Sequence, residues 1–123
     1  MTADESRRSL GRQALRGLVW TLVGCLVVLS WIPRDFEIRT SAPGQFEHVV
    51  AYAGVALLAG LGCPKERFRW LGACFVLLAG TLEIGQIWVP GRTSQFIDFA
   101  SSSAGSVIGL AAAQVLARFQ RSV

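Results

Sequence analysis

Four runs of this chain are almost free of charge, and they decide what it can fold into. Residues 17–33, GLVWTLVGCLVVLSWIP, carry no charged side chain, and neither do residues 49–64, VVAYAGVALLAGLGCP. Residues 70–91 contain one, Glu83, and residues 99–117, FASSSAGSVIGLAAAQVLA, contain none. A membrane-spanning helix needs about 20 predominantly apolar residues, with about 17 acceptable. The second run reaches that length only if its helix begins near Pro43 or Gly44 and takes in His48. None of the runs alternates as a membrane barrel strand does. A soluble bundle of this size would need polar outer faces, whereas 18–29 and 71–82 are apolar all round. Composition agrees: 52% of the residues are hydrophobic and 16% charged, against about 25% charged in soluble domains.

These features predict an all-α, four-helix polytopic transmembrane bundle. It is read as one domain over residues 1–123, with spans near 17–33, 45–63, 70–90 and 99–117. The net charge of +4 follows the spans, as orientation signals do, and no nucleic-acid motif accompanies it. Arg7, Arg8, Arg12 and Arg16 form a basic arm over residues 1–16. Lys65, Arg67 and Arg69 fill the second loop, and Arg118 and Arg121 lie at the C-terminus. The first loop has only Arg34 and Arg39, and the third only Arg92. Cytoplasmic loops carry the excess of Lys and Arg. Both termini are therefore expected in the cytoplasm, and the chain in the cytoplasmic (inner) membrane of a bacterium as a multi-pass protein. Ser6–Leu10, SRRSL, resembles a twin-arginine export signal. The apolar run behind it is long and strongly hydrophobic for such a signal, so the first helix is expected to stay uncleaved.

Cys25, Cys63 and Cys74 have neither disulfide nor metal spacing and read as small apolar filler. No cofactor and no metal is expected. Ser101, Gly105, Gly109 and Ala113 recur at four-residue spacing, a pattern that lets helices approach closely. This face reads as internal packing and leaves homo-oligomerisation open.

An ionisable residue inside a span is expensive and points to function. Glu83 lies about 10 Å before Pro90 along a helix, with Gln86 on the same face three residues on. His48 opens the second span, and Tyr52 follows one turn deeper. Pro90-Gly91 turns the chain and delivers Arg92, and Asp98 precedes the fourth span. The topology brings His48, Tyr52, Glu83, Gln86, Arg92 and Asp98 to the outer side as candidate binding residues. Singly, each has an ordinary structural use as cap, anchor or interhelical bond; together they suggest a pocket.

These residues also carry a resemblance. The order H48VVAY52, E83IGQ86, P90GR92 and D98FASSSAG105, with LSWIP at 29–33, resembles the VanZ-like membrane family over nearly the whole chain. Two places depart from its pattern. Gly44-Gln45 stands where the family often has Asp-Lys, and Ser102 where it tends to have Asn. The family takes its name from a protein associated with resistance to the glycopeptide teicoplanin at the cell envelope. The resemblance thus implies an envelope-associated membrane protein with a connection to antibiotic resistance.

Two functions follow as expectations. One is a pocket that binds a lipid head group, a lipid-linked envelope intermediate or an amphiphilic drug, with Arg92 pairing an anion. The other is an intramembrane enzyme acting on such a lipid, with His48 or Glu83 as the catalytic acid or base. A proton conduit is disfavoured, because the inner halves of all four spans are uncharged. The orientation has a direct check. In a background with the three native cysteines replaced by serine, Thr93→Cys should react with a membrane-impermeant thiol reagent in intact cells. Labelling only after lysis would reverse the topology.

Overall fold

The computed structural model describes residues 3–37 and 40–120. Arg39 and Arg121, which contribute to the charge pattern, lie outside the described residues. The described chain is helical and contains no strand. Four helices follow one another: α1 (Ala3–Trp31), α2 (Gly44–Leu61), α3 (Phe68–Gly85) and α4 (Phe96–Phe119). Short connections force successive helices antiparallel. The first and third loops therefore meet at one end of the bundle, called here the polar end.

The expected boundaries shift in three places. The basic arm is not separate from the first span, because α1 is one helix of 29 residues from Ala3. Asp4 and Glu5 stand in its first turn, where carboxylates favour the positive end of the helix dipole, and Asp4 pairs with Arg8 one turn on at 3.0 Å. At about 1.5 Å per residue α1 measures roughly 43 Å, longer than a hydrocarbon core of about 30 Å. The third run does not stay α-helical to residue 90. It leaves α3 at Gly85 and tightens into a 3-10 turn over Gln86–Trp88. Pro90 explains this, since its ring clashes with a helical carbonyl four residues earlier. Gly91 then adopts φ +74°, a left-handed conformation natural only to glycine. Finally, α4 begins at Phe96, three residues before its apolar run.

The second helix starts at Gly44 with Pro43 as its N-cap, as the reading of His48 requires. Three helical segments are long and apolar enough to cross a membrane: Ala3–Trp31, Lys65–Trp88 and Phe96–Phe119. The 18 residues of α2 are the exception, because Gln45, Glu47 and His48 occupy its first turns. Leu18, Trp20, Leu77, Val107 and Ile108 are exposed around the bundle. A surface this apolar is what lipid solvates and water does not.

The core lies between α2 and α4. Tyr52, Val55, Ala56 and Ala59 of α2 are buried against Leu110 and Ala113 of α4, and Phe68, Phe75 and Ala79 of α3 close the cluster. Small residues set the spacing. A methyl at Gly105 would overlap the Val49 carbonyl oxygen, and one at Gly109 the Ala53 carbonyl oxygen. At Gly60 it would lie 2.7 Å from the Ala113 Cβ. The small-residue stripe of α4 is therefore an internal face. Ser102, Gly105, Ser106, Gly109 and Ala113 are buried on it, while Ser101 is half-buried.

In contrast, α1 has no buried residue. It packs on the bundle through Val19, Leu22, Val23 and Leu26, and Leu15 lies against Gly62. Trp31 closes its far end, lying over Gly85 and donating to the Leu82 carbonyl at 3.3 Å. The glycine contacts give a test. Gly105→Ala and Gly109→Ala should each cost about 1–3 kcal/mol through overpacking. A lowered thermal midpoint in detergent would show it. Gly54→Ala, where nothing lies within 4 Å, should leave the midpoint unchanged or raise it.

Candidate functional site

Five helix ends and turns build the polar end, and most residues of interest are fixed by a named partner. The first concerns α1. Its last carbonyls have no intrahelical donors, and Arg92 supplies them. Its Nη2 donates to the Leu29 carbonyl at 2.6 Å and its Nε to the Ile32 carbonyl at 3.1 Å. Its Nη1 donates to Glu37 Oε1 at 3.0 Å. The backbone N–H of Arg34 also reaches the Pro90 carbonyl. Arg92 is thus the tie between the third loop and the end of α1. Three of the five N–H groups a guanidinium offers are held by the protein, and Glu37 neutralises its charge. Alongside the anion pairing expected of it, Arg92 therefore has a structural use within the protein.

The second concerns Glu83. It is 7% exposed and accepts a hydrogen bond from the Gln95 backbone N–H at 2.5 Å. Gln95 is the N-cap of α4. A carboxylate there meets both an orphan amide and the positive end of the α4 dipole. Glu83 lines neither cavity described below. Sequence reasoning placed it correctly near the turn, but as a wall of the pocket it is one layer too deep.

The third group joins α2 and α4. His48 Nδ1 lies 3.3 Å from the Ser102 hydroxyl, and Ser102 also neighbours the Tyr52 phenol. Ser106 donates back to the Ser102 carbonyl at 2.9 Å. Gln45 reaches Asp98 Oδ1 at 3.5 Å. Glu47 holds the loop ahead of α2 by accepting from the backbone N–H and the hydroxyl of Thr40. The expected packing stripe passes through Ser101, and Ser102 was legible only as a departure from the family pattern. Its spacing of four from Asp98 puts it one turn further along the same face of α4, which is the signal that would have found it. Glu37 had no pattern to reveal it.

Two adjoining cavities open at this end. The larger, of about 440 Å³, runs between α1 and α2. Leu26, Leu29, Phe46, Val50 and Ala51 make it apolar, while His48, Tyr52, Gln86 and Arg92 form a polar floor. The smaller, of about 220 Å³, is polar and includes Arg34, Gln45, Thr93, Gln95 and Asp98. Glu37, Glu47, His48, Gln86 and Arg92 line both. Five of the six expected residues therefore line one or both cavities, and Glu83 stands behind them. Gln86 is 3% exposed. Among the described residues its side-chain amide has no hydrogen-bond partner. Among those residues no group of His, Cys, Asp and Glu is arranged to hold a metal ion.

No family model matches the chain, no curated protein matches it, and no solved structure matches the fold.

The two ties make separable predictions. Glu83→Gln retains an acceptor for Gln95 and should fold with nearly wild-type stability. Glu83→Leu removes the acceptor of the Gln95 N–H at the start of α4 and should cost about 0.5–2 kcal/mol, as loss of a helix cap does. Arg92→Lys keeps the charge but loses the fork that spans two carbonyls. It should destabilise almost as much as Arg92→Ala, measured as thermal midpoints in the same detergent.

Proposed function

We propose that this chain is a four-span inner-membrane protein, termini cytoplasmic, with an outward-facing site for an amphiphile of the cell envelope. One observation carries the reading: an apolar groove of about 440 Å³ continues into a polar cup through shared walls at His48, Gln86 and Arg92. Pockets for small molecules commonly measure about 300–1,000 Å³ and are mostly apolar with a few convergent polar groups. The groove runs along the outer half of two helices, where an acyl chain would lie beside other lipid chains. The cup sits at the level of a head group. The second span of the topology is α2, whose polar first turns would stand at the head-group level.

The VanZ-like resemblance supports an envelope role. It rests on five short motifs, and whole-chain comparison does not extend it. Its motif residues are adjacent in space: His48, Tyr52, Gln86, Arg92 and Asp98 line the cavities. The two departures fall at the same place, since Gln45 contacts Asp98 and Ser102 contacts His48. This member is accordingly assigned its own ligand preference, and no resistance phenotype is transferred to it.

The enzyme reading has less support. The hydroxyl paired with His48 belongs to Ser102, which is 3% exposed and lines neither cavity. Glu83 is likewise out of reach of a bound molecule. Ala51 supplies the test of the binding reading, since it lines the groove and is exposed. Purified protein in detergent should bind a fluorescent single-chain lysolipid saturably. Ala51→Trp should fill the groove and weaken binding about tenfold or more without lowering the thermal midpoint. Binding equal to wild type in this variant would remove the groove from the account.

A further inference from the structure

We infer that the head group taken by this site is zwitterionic, carrying a primary ammonium and a phosphate, with its acyl chain in the groove between α1 and α2. The inference rests on the amphiphile-binding reading above and deepens it.

The charge balance of the cup comes first. Among the described residues its charged side chains are three carboxylates, Glu37, Glu47 and Asp98, and two guanidinium groups, Arg34 and Arg92. The cup thus presents charges of both signs, which suits a head group that itself carries both. The internal pairings sharpen this. Arg92 is held by Glu37 and two carbonyls, and Glu47 by Thr40. Asp98 has only the long 3.5 Å contact from Gln45. A carboxylate is acceptor-only and can take several donors, so Asp98 has capacity for an ammonium. Arg34 is exposed at the rim and suits a phosphate. One cup therefore presents a carboxylate and a guanidinium to the same molecule.

Gln86 gives an independent sign that the site is built for an occupant. The residue is 3% exposed and lines both cavities, and among the described residues its amide makes no hydrogen bond to the protein while staying accessible from the cavity. An amide that opens only on a cavity takes its partners from whatever fills it. A head group spanning the junction would supply both a donor and an acceptor to it. The tail follows from geometry: the junction opens on its other side into the groove lined by Leu29, Phe46 and Val50.

Competition against a fluorescent lysolipid in detergent tests this with four probes of defined chemistry. Lysophosphatidylethanolamine carries both charges, lysophosphatidylglycerol only the phosphate, and a monoacylglycerol neither. Soluble phosphoethanolamine has the head and no tail. Lysophosphatidylethanolamine should bind about tenfold tighter than lysophosphatidylglycerol, the effect of roughly one charge-assisted hydrogen bond. Soluble phosphoethanolamine should not compete at the same concentrations. Asp98→Asn should collapse the ratio toward one, and Asp98→Glu should keep it. Arg34→Gln should weaken both phosphate-bearing lipids against the monoacylglycerol.

Equal or tighter binding of lysophosphatidylglycerol overturns the head-group assignment, as does a ratio that survives Asp98→Asn. Binding that remains saturable and sensitive to Ala51→Trp in those cases leaves the groove intact and removes only the assignment. Absence of saturable binding by every lysolipid removes both.

Discussion

The contact of α4 backbone with α2 backbone at Gly105 and Gly109 is the constraint on which the polar end depends. No side chain separates the helices there, because a methyl at either position would overlap a carbonyl of Val49 or Ala53. In lipid, helices gain little from burying apolar surface, so close approach and interhelical hydrogen bonds must hold them. The approach has a positional consequence. Val49 follows His48 directly, and Gly105 lies one turn beyond Ser102. Seating Gly105 on Val49 sets the His48 ring against the Ser102 hydroxyl and brings Gln45 within reach of Asp98. The polar contacts are a readout of the glycine contacts.

Glu83, which is buried, and Arg92, which is partly buried, divide a second task. The chain must cross from α3 to α4 through Val89–Gln95 while leaving few backbone groups unpaired. Glu83 covers the start of α4, and Arg92 covers the end of α1. Both charges meet helix dipoles of the opposite sign. Each is therefore a fixed point of the loop geometry, and the cavities form around them. This explains how a chain with so little polar surface can keep an open, hydrogen-bonding cavity at one end. Its walls are backbone termini held in place by two side chains, with His48 and Gln86 between them.

The four helices and their antiparallel order were legible because uncharged runs and short loops leave little choice. The start of α2 was legible from one residue, Pro43, together with the need for length. The convergence of His48, Gln86, Arg92 and Asp98 followed from topology alone. What sequence could not supply was depth. Glu83 and Gln86 are three residues apart on one face, yet Gln86 lines the cavities and Glu83 faces the α4 N-cap. The chain tightens from α helix to 3-10 turn between them, which alters the rotation per residue and separates their directions. Nor could spacing show that Arg92 reaches back across the bundle to Leu29, a partner 63 positions away in the sequence.

The asymmetry of α1 then leaves the bundle open on one side. Every other helix contributes to the buried core, while α1 contributes no fully buried residue. Its attachment at the polar end is through two side chains, Trp31 to Leu82 and Arg92 to Leu29 and Ile32. The Arg92 tie forms part of the groove's floor, and the lateral mouth between Leu29 and Val50 is bordered by exposed apolar side chains. A fully packed α1–α2 seam would add contacts but would close that mouth. The loose packing of α1 and the Gln86 amide, which has no protein hydrogen-bond partner among the described residues, border the same open space, apolar on the α1 side and polar at the loops.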